Sequence, residues 1–272
     1  MAYDVIIIGG GPAGLSAAVN VRARGRSVLV VTNPLEENPL FKAERVDNYL
    51  GLPGRSGAEL LRIFRDHAEQ AGAEFREGRV LNAMAAGDEW FVSIGSDVDS
   101  AKALVLAGGV ARAKKFPGEE EYLGRGVSYC ATCDGMLYRN RPVAVAGYSD
   151  SAKKEADFLR SIGCEVTYFD RPRKCEIFGS EKVERVVCDG QSVETACLFL
   201  LRPALAPTDV FPGIEVEGGF VKVDRSMATN LPGVFAAGDC TGAPLQVGSA
   251  AGEGLIAGQS AAKYVAALEK KA

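Results

Sequence analysis

A chain of 272 residues is long enough for one large domain or two small ones, each burying its own core. With 47% hydrophobic and 24% charged residues and a net charge of −4, it has the balance of an ordinary globular protein and too little positive charge for a nucleic-acid binder. No stretch approaches the ~18 consecutive apolar residues of a membrane span and no basic region precedes the first apolar run, so the expectation is a cytoplasmic protein.

Residues 3–8 form a continuous apolar, β-branched run, the pattern of a buried parallel strand. GGGPAG follows, then LSAAVNVRARG, helical in character and closed by Gly25. RSVLVV at 26–31 is a second strand, which completes a βαβ unit. Gly9, Gly11 and Gly14 complete G-x-G-x-x-G between strand and helix. In that motif the first glycine makes the tight turn, the second admits a pyrophosphate and the third lets helix and strand close up. The second strand ends at Val31-Thr32-Asn33 without the acid that would hold an NAD ribose, although Glu36 and Glu37 are near. A dinucleotide other than NAD is the better fit.

Residues 57–71 read as an amphipathic helix with Leu60, Leu61, Phe64, Ala68 and Ala71 on one face and Gly72 as its stop. RVLNAM, EWFVSIG and AKALVLAGG then read as a β-meander. The pattern changes near 114–117. PVAVAG at 142–147 opens a second strand–loop–helix–strand unit that ends at EVTYFD, 165–170. CLFLLRP (197–203) and NLPGVFAAGDC (230–240) are further strands, and a small-residue-rich helix at 246–268 closes the chain. The two βαβ starts lie about 135 residues apart, a weak internal duplication. The fold class is therefore α/β with two Rossmann-like dinucleotide-binding domains, the second shortened and inserted into the first. The expected boundaries are 1–112 with 214–272 for the outer domain and 113–213 for the insert.

The seven cysteines include one close pair, Cys130 and Cys133. An odd count in a chain without a secretion signal argues against a structural disulfide framework. Cys164, Cys175, Cys188 and Cys197 lack paired zinc spacing, and His67, the only histidine, reads as a surface residue. Cys164, Cys188 and Cys197 read as small core residues, and Cys240 as packing, with approach to a bound cofactor as its alternative. Cys-x-x-Cys at a helix start is the apparatus of dithiol exchange, because the helix dipole and the neighbouring sulfur favour a thiolate. The alternative is two reduced structural cysteines.

DVIIIGGGPAGLSAA, VDNYLGLPG, GVSYCATCDG and GVFAAGDC, in this order, resemble the low-molecular-weight thioredoxin reductases across nearly the whole chain. The resemblance implies FAD in the first domain. Gly9, Gly11, Pro12, Ala13 and Gly14 would then lie at the pyrophosphate and Thr32 and Asn33 near the adenosine. Asn48, Val80, Ala107, Gly108, Gly109, Gly238 and Asp239 would hold the rest, with Gln246 and Val247 beside the isoalloxazine. Gly108 and Leu245 depart from the family, which usually has Thr and commonly Arg there. The resemblance also implies that Cys133 faces the flavin, Cys130 exchanges with thioredoxin and Asp134 is the acid/base. A homodimer is implied in the same way.

In that family the inserted domain binds NADPH through G-x-G-x-x-A and a basic cluster after the next strand. Here the loop reads Gly147-Tyr148-Ser149-Asp150-Ser151-Ala152. Ser149 replaces the glycine that lets phosphate touch the backbone, and Asp150 adds negative charge to an anion site. The basic cluster aligns with Asp170-Arg171-Pro172. Asp170 repels a 2′-phosphate but still accepts from an NADH ribose hydroxyl, while Arg171 and Arg173 argue mildly the other way. The segment from Asp170 to Leu198 is also short for a full nicotinamide domain. The chain therefore resembles the members that lack nicotinamide motifs and take electrons from reduced ferredoxin. Residues 111–175 carry 12 Lys and Arg against 9 Asp and Glu, which suits an acidic donor or is ordinary surface charge. An NAD(P)H-dependent thioredoxin reductase and a flavin–dithiol redox sensor without turnover are the alternatives.

Overall fold

The N-terminal apolar run becomes β1 (Ala2–Ile8), with Val5, Ile6 and Ile7 wholly buried, as a central parallel strand requires. The structure, a computed structural model, describes residues 1–110, 115–149, 151–202 and 206–270. After β1 come α1 (Pro12–Arg22), β2 (Val28–Thr32), α2 (Gly57–Gln70), β3 (Glu74–Glu77) and the meander β4 (Val80–Ala86), β5 (Glu89–Ile94) and β6 (Asp97–Leu106). Ser56 and Glu59 form a reciprocal capping box that starts α2, and Leu60, Leu61 and Ala68 form its buried face. The inserted segment then supplies β7 (Val127–Ser128), α3 (Ala131–Asp134), β8 (Pro142–Gly147), α4 (Ser151–Ser161), β9 (Glu165–Asp170), β10 (Cys175–Gly179), β11 (Val183–Cys188), β12 (Gln191–Glu194) and β13 (Cys197–Leu201). The chain ends with α5 (Pro207–Val210), β14 (Val216–Glu217), β15 (Phe220–Val221), β16 (Val234–Ala236) and α6 (Val247–Glu269).

These elements form two compact units, Met1–Ala111 with Ala206–Ala272, and Arg112–Leu205. In the first, the sheet runs β3-β2-β1-β6-β5-β4, with β16 also paired to β6. On the edge away from β1, β6 serves two partners because it is long: Asp97–Ala101 pair antiparallel with β5, while Leu104–Leu106 pair parallel with β16. The small residues of α6 have a packing reason. A Cβ at Gly254 would lie 2.1 Å from the Ala13 carbonyl oxygen, so only glycine lets α6 lie this close to α1.

The second unit has a four-stranded parallel sheet, β7-β13-β8-β9, and an antiparallel meander, β10-β11-β12. The short segment after Asp170 thus keeps the meander. Two expectations need correction. The chain returns to the first unit by residue 206 rather than 214, because Phe211 is fully buried against Trp90 of β5, their ring centroids 6.0 Å apart. Cys175 and Cys188, expected outside any disulfide framework, are joined in a disulfide. The β10–β11 register sets them directly opposite each other, and both are buried.

Candidate active site

In the first unit, the strand ends bring the expected cofactor positions together. The Gly9 amide donates to the Val31 carbonyl, Ala107 to Ile8 and Ala237 to Leu106, so β1, β2, β6 and β16 finish side by side. The residues just beyond those ends are Gly9, Asn33, Ala107–Gly109 and Gly238–Asp239, at the carboxyl edge where an open α/β sheet takes its ligand. Gly9 adopts φ +117°, and a Cβ at Gly14 would lie 1.9 Å from the Gly9 carbonyl oxygen. This is the tight turn and close helix approach that the spacing predicts. Gly11 caps α1 without any side-chain hydrogen bond and Pro12 opens the helix, so the first-turn amides are left for an anion. That uncapped start beside a closed glycine turn fits a dinucleotide diphosphate.

Thr32 is buried at the end of β2, and its hydroxyl donates to the Asn33 carbonyl. Val80 opens β4, and the Gly78 amide ties that corner to the Thr32 carbonyl. Asn48 donates to the Gln246 side-chain oxygen at 2.6 Å across 198 residues of sequence, and Val247 begins α6 next to it. Cys240 is buried, its thiol directed at the Ala237 and Leu106 carbonyls at 3.3 and 3.5 Å, and burial pushes its pKa up to about 12. His67 is exposed on α2.

Two residues of this region escape a motif-based reading. Glu253 on α6 accepts from the Gly238 amide at 2.7 Å and from the Thr241 hydroxyl at 2.8 Å, which fixes the turn carrying Asp239. Burial, then the nearby Glu253 charge, raises the Asp239 carboxyl above its ordinary range. Asn38 lies beside the glycine turn, with its amide nitrogen 3.3 Å from where a Gly11 Cβ would stand. Neither shows in the sequence, because both reach the loop from distant positions.

In the second unit, Cys130 and Cys133 form a disulfide at the start of α3. Cys130 is the N-cap residue, and its sulfur accepts from the Cys133 amide at 3.1 Å with the Thr132 hydroxyl 3.4 Å away. These contacts favour negative charge on Cys130 once the disulfide opens. Cys130 is the more buried of the pair, so exposure does not sort the two roles. Asp134, one residue beyond Cys133, accepts from the Ser128 hydroxyl at 2.7 Å. Met136 and Leu137, in the 3-10 turn after α3, are 57% and 71% exposed, an apolar pair beside the dithiol. Behind the helix, Cys164 and Cys197 are buried, and burial raises both thiols above their ordinary range.

The second glycine-type loop is built differently from the first. Ser149 is buried, and its hydroxyl accepts the Ala152 amide at 3.3 Å and lies 2.8 Å from the Ser151 hydroxyl. The start of α4 thus takes its hydrogen bond from within the chain. Tyr148 donates to the Pro172 carbonyl at 2.9 Å, and the Arg171 amide to the Gly147 carbonyl at 2.8 Å, tying the loop to the end of β9. Burial raises the Tyr148 pKa to about 12, so it stays a donor. Arg202 lies over the Phe116 and Tyr148 rings at 5.3 and 5.9 Å and is paired with Glu119, both members buried. Asp150 lies outside the described residues.

A family model described as pyridine nucleotide-disulphide oxidoreductase matches residues 3–189 and 176–254. The thioredoxin reductase of Listeria innocua is 33% identical over 304 residues, covering 98% of this chain and 95% of its own. That alignment is longer than the 272 residues here, so the relative carries segments this chain lacks. The crystal structure of a ferredoxin-flavin thioredoxin reductase from Clostridium acetobutylicum is 34% identical, with a TM-score of 0.93 and 99% of both chains covered. A thioredoxin reductase structure from Gloeobacter violaceus gives a TM-score of 0.86 at 31% identity, covering 98% of this chain and 95% of that one.

Proposed function

The chain belongs to the pyridine nucleotide-disulphide oxidoreductase family and, within it, to the thioredoxin reductases, and from that premise we propose that its electron donor is reduced ferredoxin rather than NADPH or NADH. It is a flavin-dependent disulfide oxidoreductase with FAD as its cofactor. When bound, FAD supplies the two electrons that open the active-site disulfide. The α1 amides and the Gly9–Gly14 turn would hold its diphosphate, with Thr32, Asn33, Asn48, Val80, Ala107–Gly109, Gly238, Asp239, Gln246 and Val247 around the remainder.

Opening the Cys130–Cys133 disulfide takes two electrons and two protons and leaves a dithiol. Cys130, as the thiolate held by the Cys133 amide, attacks one sulfur of the thioredoxin disulfide. A mixed disulfide forms, and Asp134 protonates the departing thioredoxin sulfur. Cys133 then gives up its proton and attacks Cys130, which re-forms the intramolecular disulfide, and that proton passes to the leaving sulfur to release the second thioredoxin thiol. Met136 and Leu137 give a protein substrate an apolar contact beside the exchange.

The observation that carries the choice of donor is the Ser149 hydroxyl at the start of α4. A nicotinamide diphosphate needs helix amides and a bare glycine there, whereas here the Ala152 amide is already bonded and Tyr148 is tied to Pro172. The ferredoxin-flavin reductase with 99% mutual coverage supports the same reading. The test is anaerobic turnover of oxidised thioredoxin. With photochemically reduced ferredoxin as the only donor, thioredoxin thiols should accumulate over many turnovers. Thiols produced with NADPH or NADH alone would overturn the choice of donor, and dithionite-reduced enzyme that reduces no thioredoxin would favour a sensor.

A further inference from the structure

We propose that Ser128 is a positioning residue of the dithiol centre, a two-way hydrogen-bond partner that serves Asp134 both as carboxylate and as carboxylic acid. The proposal rests on the acid/base reading of Asp134 given above. Ser128 ends β7 and is 4% exposed. Its oxygen lies 2.7 Å from Asp134 Oδ2 and 3.2 Å from the Cys130 carbonyl oxygen, and it accepts the Cys130 amide at 3.1 Å. A serine hydroxyl has one proton to give and two lone pairs to receive with. Here one proton faces two acceptors.

With Asp134 ionised, the hydroxyl proton points to Oδ2 and the Cys130 amide occupies one lone pair. The other state arises when Asp134 carries the proton destined for a leaving thiolate. The carboxylic acid then donates to the second lone pair of Ser128, and the hydroxyl proton turns to the Cys130 carbonyl. The change is a rotation about the Cβ–Oγ bond, with no heavy-atom movement. In neither state is a buried polar group left without a partner, which would otherwise be costly. The same hydroxyl holds the backbone of Cys130, so the sulfur and the acid keep their mutual geometry as the proton comes and goes.

The experiment mixes dithionite-reduced holoenzyme with oxidised thioredoxin in a stopped-flow instrument and follows the exchange across pH. Ser128→Ala should slow exchange roughly tenfold, the effect of losing one hydrogen bond to a charged group, and should change the shape of the pH profile at unchanged FAD content. Ser128→Thr, which keeps the hydroxyl, should restore both, whereas Ser128→Val, which matches threonine in shape but lacks the hydroxyl, should not. In an Asp134→Asn background, Ser128→Ala should cost far less than in the wild type, since the proton it serves is gone. Equal rates for wild type and Ser128→Ala, equal slowing by Thr and Val, or additive effects with Asp134→Asn would each overturn the proposal. If Ser128→Ala does not fold, the Thr and Val pair decides. A wild-type enzyme that fails to reduce thioredoxin at all would instead sink the functional reading on which it rests.

Discussion

At Gly11 a helix begins with no side-chain partner for its first amides, and at Ser149 the corresponding helix begins with its own hydroxyl acceptor. The difference of one Cβ and one oxygen separates a loop that can hold a diphosphate from one that holds itself. Ser149→Ala should therefore lower stability by about 1 kcal/mol, the usual loss for a helix cap, measured by urea unfolding of the holoenzyme. It should confer no reactivity with NADPH, because Tyr148 remains tied to Pro172. The serine in place of glycine at 149 was legible in the sequence, since the motif fixes which glycine touches phosphate. The capping bond was not, because it depends on where the α4 amides point. Ser128 was hidden for another reason: a serine near a Cys-x-x-Cys pair carries no motif, and its role arises only where β7 and α3 converge.

At the scale of elements, the β10–β11 hairpin and the Glu119–Arg202 pair fix the second unit. Cys175 and Cys188 close a short loop within a hairpin that already has its ladder. Replacing both with serine should cost roughly 2–4 kcal/mol. A thiol titration of the denatured, unreduced protein should find the three free cysteines, Cys164, Cys197 and Cys240, and seven after reduction. Five free thiols before reduction, with Cys130 and Cys133 mapped as still joined, would mean that this pair is open. Sequence spacing does not reveal the pair, since facing positions follow from strand register alone. The Glu119–Arg202 pair, 83 residues apart, is hidden in the same way. Burial pushes the Glu119 carboxyl up, but Arg202, the Phe116 amide and Tyr129 outweigh it and hold it below the ordinary carboxylate range. A carboxyl depressed on folding stabilises the protein above its unfolded pKa, and that stability is lost as pH falls through its folded value. Glu119→Ala should cost about 3–5 kcal/mol at neutral pH, because Arg202 is left buried without its counter-charge. The gap to the wild type should narrow as acid protonates Glu119, an outcome that urea titrations at several pH values would read.

Across the whole molecule, the two βαβ units were legible from their β-branched runs and glycine punctuation, and the meander of the first unit from its turn residues. The return to the first unit by residue 206 was not, because nothing local marks α5 as belonging with Trp90 rather than with β13. The likeness to thioredoxin reductases extends over nearly the full chain, yet the aligned Listeria innocua relative carries segments that this chain lacks. The chain keeps the dithiol helix and the first glycine turn, and its second loop takes the α4 hydrogen bond from within, which on the proposed reading leaves no place for a nicotinamide donor. The direct measurement is anaerobic bleaching of the bound flavin, with NADPH, NADH and reduced ferredoxin offered separately to the same preparation. Rapid bleaching by reduced ferredoxin and none by either nicotinamide at micromolar concentration is the predicted result. Rapid bleaching by NADPH or NADH would contradict the account.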